Sequence, residues 1–258
     1  MTGSRHRLAA SLVVFAIWIA ITGFFMRLIE PATQQSLDAM VTARIGPQFI
    51  AAVIFLVVAV LLFRWRDMGF NAPRPARSLG RLWFPALYLV LFFGGAALFG
   101  LPSSGVMLIV FVNTCLVGIS EELACRGVLL QGLRSRVSIW PAVLLSSLLF
   151  GAIHVINGFM TGDFTAAFIQ ALAAFMSGVL FAAIRLRTHS IIPCMVFHAL
   201  WDFGTFTMLL ASQQHASAGG ATPSPFLPVL FVLPNFLYGL FLLRHAARDE
   251  REERRASA

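Results

Sequence analysis

Three short spacings in this chain carry residues able to do chemistry: Glu121-Glu122-Leu-Ala-Cys-Arg126, Phe150-Gly-Ala-Ile-His154 and His198-Ala-Leu-Trp-Asp202. All three fall inside strongly apolar stretches. A charge at the centre of a membrane helix costs about 2.5–3.5 kcal/mol on insertion scales, so four charged residues and two histidines at such depth need a common purpose. Carboxylates beside imidazoles can activate water, relay protons or ligate a metal. On a helix, Glu122 and Arg126 share a face as an i,i+4 pair with the acid first, which lowers the cost of both charges. Glu121 points about 100° away and has no cationic partner on its own helix. A carboxylate left in low dielectric readily takes a proton, which suits a general base. Phe150 and His154 share a face, as do His198 and Asp202, whose carboxylate can orient or charge the imidazole.

The surrounding chain defines what must position these groups. Its 258 residues are 59% hydrophobic and 12% charged, with a mean hydropathy of +0.83. A soluble domain would be roughly 25% charged. The composition indicates an all-α polytopic membrane protein, since backbone polar groups in lipid must be satisfied within helices or closed barrels and no polar alternation is present. At about 20 apolar residues per crossing, eight segments qualify: 8–29, 47–63, 82–100, 106–130, 139–157, 164–184, 190–211 and 225–243. The three motifs lie on the fourth, fifth and seventh. We divide the single membrane domain into helices one to three (1–105), a core (106–211), and a last helix with a charged tail (212–258). The run 8–29 is too long for the apolar part of a signal peptide and reads as a retained helix.

All 19 basic residues are arginine, a bias that fits a GC-rich bacterial genome. Their clustering predicts orientation. Sixteen fall at the N-terminus, in the loops after the second, fourth and sixth segments and in the tail; Arg27 and Arg44 lie on the other side and Arg126 within the membrane. This predicts both termini in the cytoplasm of a cell (inner) membrane. The net charge of +8 therefore reads as topology and not as nucleic-acid binding. The basic loop Arg64–Arg81 reads as a topology determinant attracted to anionic lipid. The tail from Arg244 reads as a solvated or frayed helix end. Cys115, Cys125 and Cys194 read as small apolar fillers, with no disulfide framework. Counting about 1.5 Å per residue from the basic loops puts Glu121 about 15 Å deep, His198 about 12 Å, Asp202 about 18 Å and His154 about 24 Å. His154 is the outlier; a dipping 134–139 loop or a tilted fifth helix would bring it level. Ser177-Gly178 reads as small-residue helix packing. An aspartyl pair of Asp163 and Asp202 is disfavoured by depth.

The ordered motifs resemble those of the CPBP intramembrane protease family, also known as the Abi or type II CAAX prenyl endopeptidase-like family: EExxxR, FxxxH and HxxxN or HxxxD on successive core helices. Gly127 and the stretch Arg185-Leu-Arg-Thr-His-Ser-Ile-Ile-Pro193 are also similar, and the resemblance covers about residues 106–203. It implies a CAAX-type endopeptidase that hydrolyses a membrane-tethered or apolar peptide. Glu121 would activate water with help from His154. Glu122 and Arg126 would set its geometry or hold a substrate group, and His198 with Asp202 would stabilise the oxyanion or orient the water. Many relatives carry Asn where this chain has Asp202, and an ionised Asp cannot donate to an oxyanion. Zinc or another divalent metal on Glu121, His154, His198 and Asp202 and a metal-free glutamate mechanism stand level on this reading. Outside enzymes, the same buried cluster would suit a membrane scaffold or an ion or proton carrier, although repeated halves and broken helices are not visible in the sequence. Substrate identity and oligomeric state are open.

Overall fold

In the computed structural model, which describes residues 4–29, 34–215 and 226–256, the chain is helical throughout and no strand occurs among the described residues. The elements in order are α1 (Ser4–Ile29), α2 (Leu37–Thr42), α3 (Pro47–Leu62), a 3-10 turn (Ala76–Leu82), α4 (Trp83–Phe99) and α5 (Ser104–Glu122). α5 runs on through a π-helical segment (Leu123–Leu129) into α6 (Leu130–Arg134). Then follow α7 (Ile139–Ile153), a 3-10 turn (His154–Ile156), α8 (Asn157–Thr161), α9 (Phe164–Thr188), α10 (Ile192–His215) and α11 (Leu227–Ala256). Each of the eight apolar segments coincides with a helix. Among the described residues, seven helices are long and apolar enough to cross a membrane, whereas α3 has 16 residues, about 24 Å.

Local chemistry sets the breaks. Pro47 opens α3 where its missing N–H is harmless. Ser103 caps α5 through Val106 N, and the Asp163 carboxylate caps α9 by accepting from Ala166 N at 2.8 Å. Asp163 therefore serves a helix end, as its predicted depth required. Gly162 closes α8 with φ +79°.

Contacts at the ends fix the direction of each pass. At the basic end, Arg7 of α1 pairs with Asp67 beyond α3 at 3.2 Å. Ile191 N before α10 donates to Gly69 O at 2.9 Å, and Arg187 of α9 pairs with Asp249 of α11. At the opposite end the buried Asn113 of α5 donates to Val41 O and Arg44 O and accepts from Gly46 N, each at 2.9 Å. Asn113 thus secures α2 and the turn into α3. The apolar helices alternate in direction, so α1 begins and α11 finishes at the same end.

Contacts at the basic end change one expectation and add to another. Arg185, counted above as a loop charge, is buried and donates to Asp67 O at 3.0 Å. The Arg64–Arg81 loop is strapped to the α9–α10 connection: Arg74 N donates to Thr188 O at 2.9 Å, and Asn71 Nδ2 to His189 O at 3.0 Å. Gly69, at φ +85°, lies so near the Arg185 guanidinium that a Cβ would come within 2.5 Å of it. Tertiary hydrogen bonds therefore hold the backbone of this loop. In the tail, α11 continues well past residue 243, with Ala246 and Ala247 buried and Arg244, His245, Arg248 and Asp249 exposed, a largely solvated helix end. The Gly/Pro-rich break at 216–225 lies outside the described residues.

α10 packs chiefly on α4 and α5, while α9 packs chiefly on α7 and α11. The consecutive helices α9 and α10 meet mainly near their shared connection, where Phe181 packs on Phe197 and Cys194 Sγ on the Phe181 carbonyl. Two helical groups thus face one another across a seam, and all three motifs point into it.

Candidate functional site

α5 delivers Glu121 and Glu122 at its last turn, directly before the π segment that carries Arg126. All seven residues of that segment are buried. π-helical stretches break the i→i−4 ladder and recur at functional sites. Arg126 Nη1 donates to Glu122 Oε1 at 2.9 Å, the predicted i,i+4 pair, with both side chains almost wholly buried. Arg126 Nη2 donates to the Gly178 carbonyl of α9 at 3.2 Å. The guanidinium carbon lies 4.3 Å from the Phe150 ring centroid and 5.2 Å from that of Phe181, so two aromatic faces flank the cation.

His198, from α10, joins this pair. Its Nδ1 lies 2.7 Å from Glu122 Oε1, and since a carboxylate only accepts, Nδ1–H is the donor. Its Nε2 then faces Glu121 Oε2 at 3.6 Å and Asp202 Oδ2 at 3.5 Å. Phe181 stacks on the imidazole at 4.9 Å with planes 15° apart, and Phe150 meets it edge-on at 6.0 Å. The reading of Glu121 as unpartnered holds only within its own helix; across the seam it faces His198.

His154 sits where α7 gives way to the 3-10 turn. Its Nδ1 donates to Phe150 O at 2.8 Å, which leaves Nε2 as the free nitrogen of the neutral ring. The Phe150 ring is edge-on to His154 at 5.0 Å as well as to His198. His154 thereby joins the other motifs despite its large predicted depth. The same break at His154–Ile156 is an interruption that sequence reading did not detect. Beyond it, Asn157 Nδ2 donates to Gln170 Oε1 of α9 at 2.9 Å.

All six candidate residues are thus brought to one locality with graded exposure. Glu122 is 0% exposed, whereas Glu121 and Asp202 retain 18% and 25% of their side-chain surface. Glu122 Oε2 is buried without a hydrogen-bond partner. Phe181 and the Gly178 carbonyl were missed, because they lie on a segment with no deep charge and one contributes only backbone. Ser177-Gly178 was read as helix packing, and Gly178 does pack on Ser147 and Phe150.

As to metal ligation, no group of three or more His, Cys, Asp or Glu among the described residues is arranged to hold an ion. Hydrogen bonds occupy Glu122 Oε1, His198 Nδ1 and His154 Nδ1, which leaves Glu121, Asp202, His154 Nε2 and His198 Nε2 as the remaining donor atoms.

Fold and site define a helical membrane protein with a buried Glu/Arg/His cluster opening at Glu121 and Asp202. Residues 103–204, from the cap of α5 to within α10, match the family model Rce1-like, described as type II CAAX prenyl endopeptidase Rce1-like. That stretch of the chain is therefore similar to this protease family, the one its three motifs resemble. No curated protein matches the chain.

Proposed function

We propose that this protein is an intramembrane endopeptidase that cuts a membrane-tethered or apolar peptide using water activated by Glu121. The observation that supports this most is the division of labour around His198: buried Glu122 holds Nδ1–H, and partly exposed Glu121 and Asp202 face Nε2. Glu121 takes a proton as water attacks the scissile carbonyl, and returns it to the departing amine as the tetrahedral intermediate collapses. His198, protonated at Nε2, donates to the oxyanion. His154, with Nε2 free, orients the water. Arg126 holds Glu122 in place through its 2.9 Å hydrogen bond. Before substrate binds, Asp202 orients His198 by accepting from Nε2–H, a role that needs no proton on the carboxyl, and it gives up that N–H to the oxyanion as the intermediate forms.

These steps use only side chains of the chain itself, and we propose a metal-free glutamate mechanism. Full activity of metal-free protein after chelation supports it, and loss of activity that zinc restores would sink it. We further propose a bacterial inner-membrane location with both termini cytoplasmic, in keeping with the gathering of Arg7, Arg81, Arg185 and Arg187 at one end. The direct test is cleavage of a membrane-anchored reporter. Glu121→Gln should lower the rate by about 10²–10⁴-fold, the usual contribution of a general base, while the protein remains folded and inserted. Wild-type cleavage by that variant would refute the assignment.

A further inference from the structure

A second constellation lies at the basic end, apart from the Glu/His cluster. A cleft of about 440 Å³ opens between the 3-10 turn Ala76–Leu82, the end of α9 and α11. Arg77, Arg81 and Arg187 converge on it, and Trp83, Tyr238 and Phe241 supply its aromatic wall. No acidic side chain lines it among the described residues.

Arg81 Nη1 donates to the Arg187 carbonyl at 3.4 Å, holding two cationic residues together. Tyr238 OH donates to Arg81 O at 2.9 Å and so fixes the turn against α11. Arg187 is paired with the Asp249 carboxylate, yet its Nε–H is buried without an acceptor. Arg81 held against the end of α9, with exposed Arg77 beside it on the turn, gathers guanidinium charge at the cleft that suits phosphate oxygens.

The setting selects the source of that phosphate. Trp83 begins α4 and Thr188 ends α9, so the cleft sits at the ends of apolar spans, where headgroups lie and where Trp and Tyr concentrate. Trp83 and Phe241 are 61% and 54% exposed beside it, presenting apolar surface suited to acyl chains. We infer that this cleft binds the phosphodiester headgroup of an anionic glycerophospholipid, with its acyl chains against Trp83 and Phe241. The bound lipid bridges α4, α9 and α11. This inference does not depend on the peptidase reading.

The test uses the purified full-length chain in detergent, with phosphatidylglycerol, phosphatidylcholine and inorganic phosphate as probes. Native mass spectrometry should show phosphatidylglycerol retained at least about tenfold over phosphatidylcholine. Phosphatidylglycerol should also raise the unfolding midpoint where inorganic phosphate does not. Arg77→Gln with Arg81→Gln should abolish both effects. The wild-type comparison of probes stands without any variant, and single Arg77→Gln, exposed on the turn, guards against misfolding of the pair. Equal retention of the two lipids, full protection by inorganic phosphate alone, or unchanged phosphatidylglycerol retention by a folded variant overturns the inference.

Discussion

Each residue of the cluster is defined by what it leaves its neighbour to do. Glu122 is committed twice through one oxygen, to Arg126 and to His198. Replacing Arg126 by Ala strands that carboxylate in a buried setting, and breaking a buried pair from one side costs about 3–5 kcal/mol. Thermal unfolding in detergent should therefore show Arg126→Ala far less stable than Glu121→Gln, whose carboxylate is partly exposed. Asp202 carries a different expectation. If it serves as an acceptor for His198, Asp202→Asn keeps a carbonyl oxygen there and should retain activity within about tenfold, whereas Asp202→Ala should lose most of it. Equal losses in a cleavage assay would show that the negative charge, and not the acceptor, is what matters. The pairing of Glu122 with Arg126 was legible because i,i+4 geometry is local. The capture of Glu122 and Glu121 by His198 was not, because it joins helices 76 residues apart in sequence.

Helices and their close approaches convert these residue properties into a site. α5 and α10 approach at Gly118, where a Cβ would stand 2.9 Å from Ala199 N and 3.0 Å from Met195 O. The atoms met are backbone, so they cannot step aside. Gly118→Val should push the helices apart, cost about 1–3 kcal/mol, and loosen the Glu122–His198 bond one turn along. A fall in both unfolding temperature and cleavage rate is expected; unchanged activity would mean that α10 is positioned by other contacts. The existence and order of the apolar helices could be read from length and hydropathy. The π segment could not, because Leu123–Leu129 carries ordinary apolar periodicity and nothing in its composition marks a change of hydrogen-bond register. The interruption at His154 was similarly silent, since the nearby Gly151 and Gly158 fall outside it.

At the scale of the whole molecule, the sequence showed where arginines cluster but not that some of them are structural. Charge counting treats each arginine alike, whereas Arg185 is buried on a backbone carbonyl and Arg7 stacks on Trp65 at 3.8 Å while pairing with Asp67. The loop between α3 and α4 has a further meaning for how the protein is made. Helices enter the membrane in the order of synthesis, so Asp67 and Gly69 are in place well before their partners in the α9–α10 connection exist. The Asp67 carbonyl waits for an arginine 118 residues downstream. The strap is thus a progress signal: it closes only when α5, α7 and α9 have been delivered and the chain has returned to the starting end. Chains truncated after α8 should leave residues 64–75 open to limited proteolysis, and full-length chains should protect them. Equal cleavage of the two in membranes would show that the loop is held by something other than its late-arriving partners.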